Sequence, residues 1–172
     1  MLPLPGSGSL ALLRTEVSQE LFARVMNANP SRNAGRALPV DSVTWTEAGE
    51  FCRRLGWVLG TTVRLPTEAE FRAAVGDHVA TATHAWGLEN GPGRSSPTGA
   101  KPANTSGFHD LLGNVAGWLA ADAGDTAVLA GGSFTESRGQ LQALPLRRAP
   151  KSGRERTNGF RVVVEVDLTA AR

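Results

Sequence analysis

Apolar residues recur every three or four positions in three early stretches of the chain, and each stretch carries its own start signal. In TEVSQELFARVMNANPS, Leu21, Phe22, Val25 and Met26 fall on one helical face, Ser18 can cap the N-terminus, and Pro30 reads as the stop. In VTWTEAGEFCRRLG, Thr44 and Glu47 form a T-x-x-E capping box. Trp45, Ala48, Cys52 and Leu55 share a face there, and Gly56 reads as the C-terminal stop. The box returns as Thr67 and Glu70, which predicts a short helix burying Phe71, Ala74 and Val75 before Gly76.

Beyond Gly76 the period is lost. WGLENGPGRSSPTGAKPANTSG is dense in Gly, Pro, Ser and Asn, the composition of a long irregular connection, and loops of that length are usually functional or pinned by something. Two later runs, AVLAGGSF and FRVVVEV, have the β-branched content and bounding turns of strands. The expected architecture is α+β: a few helices packed on small antiparallel sheets, with much of the chain in organised loops. The expected organisation is a short leader over 1–14, one domain over 15–166 and a tail over 167–172, without internal repeats.

Composition narrows the function classes. A chain of 172 residues can bury one sizeable core, and its 20 glycines and 10 prolines exclude a helical bundle. The formal net charge of +2 implies no general attraction to nucleic acid or membrane. The start MLPLPGSGSLALL lacks a basic n-region and no run of 18 apolar residues occurs, so a cytoplasmic protein without membrane contact is expected. Cys52 is the single cysteine, which excludes an intrachain disulfide and any site needing two thiolates from one chain.

Seven phrases, in order, carry a resemblance: TEVSQELFARVMNANPS, LPVDSVTWTEAGEFCRRLG, VRLPTEAEFRAAV, AWG, GFHDLLGNVAGW, LAGGSF and NGFRV. Together they resemble the formylglycine-generating enzyme, or sulfatase-modifying factor, family over about residues 15–165. The resemblance implies a loop-rich variant of the C-type-lectin-like fold. Catalytic members of that family oxidise a sulfatase cysteine to formylglycine with copper and oxygen; related domains occur in ergothioneine-type sulfoxide synthases and in lectin-like ligand-binding proteins.

Residue by residue, the resemblance does not carry the chemistry across. Catalytic members place two copper(I)-binding cysteines between the G-G-S and G-F-R phrases, but the interval here, FTESRGQLQALPLRRAPKSGRERTN, has none. Cys52 matches a helix position instead, so copper is not expected. The sulfoxide synthases' tyrosine is also absent, because the chain contains no tyrosine. His78, His84 and His109 show no i, i+4 pairing and read as loop or core hydrogen-bonding residues. In GNVAGW, Asn114 and the Val115 carbonyl match oxygens that relatives offer to calcium. Gly117 stands where the carboxylate would be, which leaves a weak calcium candidate beside a metal-free turn role for Asn114.

Trp45, Trp86, Trp118 and Phe160 are expected to fill the core, and Arg161 to make a buried fork-like contact with a carboxylate or carbonyls. The remaining departure is basic: Arg147, Arg148, Lys151, Arg154 and Arg156 face a single acid, Glu155, and are the candidate ligand-binding residues. The alternative for them is a solvated loop that spreads its charges. Two functions stay open on the residues. One is a non-catalytic module binding an unknown protein or an anionic ligand, with a partner chain or homo-oligomer in view. The other is a diverged metal-dependent oxidase built from histidines and carboxylates brought together only in three dimensions.

Overall fold

Side-chain caps set where the helices begin. In the computed structural model, which describes residues 1–77, 83–121 and 124–166, Ser18 Oγ accepts from Leu21 N at 3.2 Å and starts α1 (Gln19–Met26). Reciprocal boxes at Thr44/Glu47 and Thr67/Glu70 start α2 (Trp45–Leu59) and α3 (Glu68–Val75), as their sequences predict. A further box, Ser137/Gln140, opens α4 (Arg138–Gln142), which is too short to show a period.

Two helix ends differ from expectation. α1 stops at Asn27, whose left-handed φ of 53° closes it before Pro30 is reached. α2 runs through Gly56 to Gly60, which takes the left-handed cap at φ 67°. Gly56 serves close packing instead of termination, since a Cβ there would lie 2.9 Å from the Thr61 carbonyl oxygen.

The strands are β1 (Leu2–Pro3), β2 (Leu10–Leu12), β3 (Val63–Arg64), β4 (Ala116–Trp118), β5 (Thr126–Ala130), β6 (Leu146–Pro150), β7 (Asn158–Gly159) and β8 (Val163–Glu165). They form two four-stranded sheets in the orders β1-β2-β8-β3 and β6-β5-β4-β7. All pairings are antiparallel except β4 with β7, where the long return of the chain brings Gly159 beside Gly117 in parallel. Residues 1–14, read from sequence as a leader, instead supply β1 and β2. These two strands are too short, and too interrupted by Pro and Gly, to show alternation.

The main core lies between α1, α2 and one face of each sheet. At its centre the Phe22 and Phe51 rings stack at 5.6 Å, and Phe160 meets Phe51 edge-on at 5.2 Å. A second cluster packs α3, through Phe71, Ala74 and Val75, against the opposite sheet faces with Leu12 and Val163. Trp118 and Phe160 are fully buried as expected, with the Trp118 indole N–H donating to the Val43 carbonyl. Trp45 and Trp86 are only half-buried, at the margin of the core. No helix among the described residues is long and apolar enough to cross a membrane.

Candidate functional site

The interval between Gly131-Gly132-Ser133 and Gly159-Phe160-Arg161 folds as α4, β6, a turn and β7. Its first residues form a tight oxygen knot. Ser133 N and Oγ donate to Glu136 Oε2 at 2.8 and 2.6 Å, and Thr135 Oγ1 donates to the same oxygen at 3.0 Å. The knot follows from local sequence: Gly131 and Gly132, at φ 90° and 66°, turn the chain so that Glu136 reaches back over Ser133. Glu136 was not singled out from sequence, although its place two residues after the G-G-S-F phrase was visible.

These hard oxygen donors do not fit copper(I), which favours soft thiolates. Cys52 cannot supply one, because it lies in the main core on α2 and burial pushes its thiol up to about 12. Among the described residues no three His, Cys, Asp or Glu side chains gather as a metal site. His84 and His109 are not brought together as ligands, and His78 lies outside the described residues.

The basic residues are distributed by strand geometry. The charges from Arg147 onward suggest a loop, but Arg147 and Arg148 lie on β6, an edge strand whose charges and terminal Pro150 mask its β-propensity. Alternation sends the two side chains to opposite faces. Arg147 donates to Asn158 Oδ1 at 2.9 Å and pairs with Glu155 at 3.3 Å, while Arg148 donates to Thr126 Oγ1 at 3.3 Å. Arg148 also lines a cavity of about 490 Å³ with Thr67, Glu68 and Val128.

The following turn packs on the start of α2. Lys151 Nζ sits 4.2 Å from the centre of the Trp45 ring, and Arg154 bridges Glu47 at 2.6 Å and the Ser42 carbonyl at 3.1 Å. Burial raises the Glu47 carboxyl, but the Thr44 amide and Arg154 outweigh it and hold the group below its ordinary value. Arg156 lies over Phe134 at 5.4 Å. Lys151 and Arg154 thus lie on one turn, which Arg147 reaches from β6 through Glu155, whereas Arg148 points to the other face of the sheet.

Asn114 sits at the centre of a different site. At φ 56° and fully buried, it accepts from Ser96 N through Oδ1 and donates through Nδ2 to the Ser96 carbonyl and to Glu16 Oε1. Both amide donors are thus engaged within the chain, its oxygen is turned to an amide, and Gly117 brings no carboxylate. This donor set does not fit calcium, which needs six to eight oxygens; Asn114 fastens a loop, and Val115 beside it is a buried apolar residue. Arg161 makes the carbonyl version of its expected fork: NH1 donates to Leu13 O at 3.0 Å, and NH2 to His109 O at 2.8 Å and Asp110 O at 3.3 Å. Glu16, a single acid just before Val17 in the link from β2 to α1, was not recognised from sequence as part of this centre.

Comparison with known proteins places this geometry. Residues 8–166 match the sulfatase-modifying factor enzyme 1-like domain. The chain belongs to this family. A mouse relative described as inactive C-alpha-formylglycine-generating enzyme 2 is 32% identical over 125 residues, covering 58% of this chain and 39% of that protein. This chain therefore spans well under half of that relative's length.

Among solved structures, Treponema denticola variable protein 1 superposes with a TM-score of 0.82 at 23% identity, covering 91% of this chain and 84% of that one. PvdO from Pseudomonas aeruginosa superposes at 0.79 with 20% identity, covering 91% and 80% of the two chains. At those identities the likeness shows the fold, the C-type-lectin-like arrangement of formylglycine-generating-enzyme-like proteins, and not its chemistry.

Proposed function

We propose that this sulfatase-modifying-factor-family chain is a non-catalytic binding module that recognises an anionic ligand or protein face through residues 147–156. The observation that carries the reading is a substitution of chemistry within one interval. Where catalytic members resembling this chain place two thiolates, it has a Ser-Thr-Glu oxygen knot and, further on, the five cations of residues 147–156, and its one thiol is sealed in the core. The mouse relative's description as inactive supports the same reading.

Geometry selects within the basic set. Arg147, Lys151 and Arg154 surround the turn before β7, and the carboxylates that reach them, Glu155 and Glu47, leave a positive excess there. Lys151 and Arg154 are braced by Trp45 and Ser42, so these cations present a shaped surface instead of a mobile fringe. Arg148 addresses the other face of the sheet and contributes less to the same contact.

Heparin, as a generic polyanion, tests the surface. Replacing Arg147, Lys151 and Arg154 by alanine is expected to lower the salt needed for elution from immobilised heparin, whereas Arg148→Ala lowers it less. Each lost phosphate- or sulfate-type contact removes on the order of one unit of the log–log salt slope. Unchanged elution of the triple variant, with its fold verified by circular dichroism, would retire the turn as a binding surface.

A further inference from the structure

Alternation along β5 assigns its two faces. Ala127 and Leu129 enter the main core, so Thr126 and Val128 point the other way, toward the cluster under α3. Arg148 is the cross-strand partner of Val128 and stands on the same face. Thr67 and Glu68, at the start of α3, form the opposite wall. The two walls are tied at one end, where the Ala120 N–H donates to the Pro66 carbonyl at 2.8 Å and the Leu119 N–H to the Val128 carbonyl at 2.9 Å. The space between them is the cavity of about 490 Å³, within the range of roughly 300–1,000 Å³ usual for small-molecule sites.

Its walls carry one charge of each sign. Among the described residues Arg148 has neither a carboxylate nor an aromatic ring as partner, and the 3.3 Å contact to the Thr126 hydroxyl leaves most of its N–H donors unused. On the other wall, Glu68 Oε1 accepts from Arg72 at 2.8 Å. That pair is half-exposed on both sides and holds the carboxylate only weakly, and Oε2 takes no donor among the described residues. Glu68 and Arg148 border the same cavity without pairing with each other, and between them lie Val128 and the small apolar residues Ala120 and Ala121.

A simple anion would meet Arg148 but be repelled by Glu68, and a simple cation would meet the reverse. A molecule that carries both charges on a short apolar body satisfies both walls at once. We propose that this cavity binds a small zwitterion with an α-ammonium and a carboxylate, as found in a free amino acid or a short peptide. Arg148 holds the carboxylate, with the Thr126 hydroxyl turning its own hydrogen to the same group; Glu68 holds the ammonium, and Val128 meets the apolar portion. The site does not depend on the polyanion surface, because Arg147 faces the other side of the sheet and Lys151 and Arg154 belong to the turn packed on α2.

Titration of isotope-labelled protein, followed by the amide NMR shifts of Glu68, Thr126 and Val128, tests the site. The probes are leucine and leucyl-leucine, with N-acetyl-leucine and leucinamide as forms lacking one charge. At least one of the two zwitterions is expected to shift these amides saturably. The blocked forms should bind at least about tenfold more weakly, since each loses a charged hydrogen-bond partner. Glu68→Gln and Arg148→Ala, both at exposed positions, should each weaken zwitterion binding by a similar factor, whereas Arg147→Ala should leave it unchanged. Binding of leucine assigns the site to free amino acids; binding of leucyl-leucine alone assigns it to peptides that carry both termini. Three results would overturn the proposal: no saturable shift with either zwitterion, N-acetyl-leucine or leucinamide binding as well as leucine, or zwitterion binding that survives both substitutions. Loss of heparin retention in the Arg147, Lys151 and Arg154 variant would leave these titrations as they are, so the two surfaces are tested separately.

Discussion

Truncating Phe160 to alanine is expected to cost about 3–5 kcal/mol of folding stability, the range for emptying a well-packed aromatic site. Phe160 is fully buried, meets Phe51 and Phe22 edge-on at 5.2 and 6.1 Å, and its carbonyl accepts the Val17 amide. It therefore joins α1, α2 and the approach to β8 at one point, and little backbone is free to collapse into the space. Against a typical total of roughly 5–15 kcal/mol, such a loss brings the chain close to unfolding. Urea denaturation measures it, with Trp57→Ala as the surface control: Trp57 is 71% exposed, and a change within about 0.5 kcal/mol is expected. A loss at Phe160 no larger than the control would mean that the three-ring cluster does not organise the core.

Replacing Arg161 by methionine should be of comparable size, about 3–5 kcal/mol, for a different reason. The volume is largely kept, but the carbonyls of Leu13, His109 and Asp110 lose their donor, and Glu16 and Asp110 lose the cation that offsets them. Arg161→Lys should recover only part of the loss, because a single ammonium cannot reproduce a planar fork reaching three carbonyls. Full recovery by lysine would show that charge alone is needed there and that the fork geometry is dispensable.

The legible parts of this fold are those governed by local chemistry. The Thr44/Glu47 and Thr67/Glu70 boxes start helices because the reciprocal bonds lie within four residues, and the apolar spacing gives Ala48 and Cys52 on the buried face of α2 and Phe71, Ala74 and Val75 on that of α3, although it does not mark Phe51 beside them. β5 and β8 are readable for similar reasons. What stayed hidden depends on partners far along the chain. β1 and β2 become strands because β8, some 150 residues later, offers an edge; β6 is polar because it lies at an edge; and Gly56 continues a helix because Thr61 packs against it.

The candidate site divides in the same way. Missing thiolates and clustered cations are compositional facts, open to anyone reading the interval. That Arg147 and Arg148 face opposite ways, that Lys151 lies on Trp45, and that Glu16 accepts from Asn114 are tertiary facts with no sequence period to announce them. Arg161 shows the boundary between the two: a buried fork was predictable from the G-F-R phrase, but its choice of carbonyls over carboxylates was not.

The most direct measurement of the non-catalytic reading is anaerobic titration of the purified protein with copper(I) against a competing chelator, followed by exposure to oxygen with a cysteine-containing sulfatase peptide and mass analysis of that peptide. With Cys52 buried and only oxygen donors at Ser133, Thr135 and Glu136, the chelator should retain the copper and the peptide cysteine should emerge unoxidised to the aldehyde. Stoichiometric copper held against the chelator, together with formylglycine in the peptide, would contradict that reading and make the chain an oxidase with a metal site unlike that of the catalytic members it resembles.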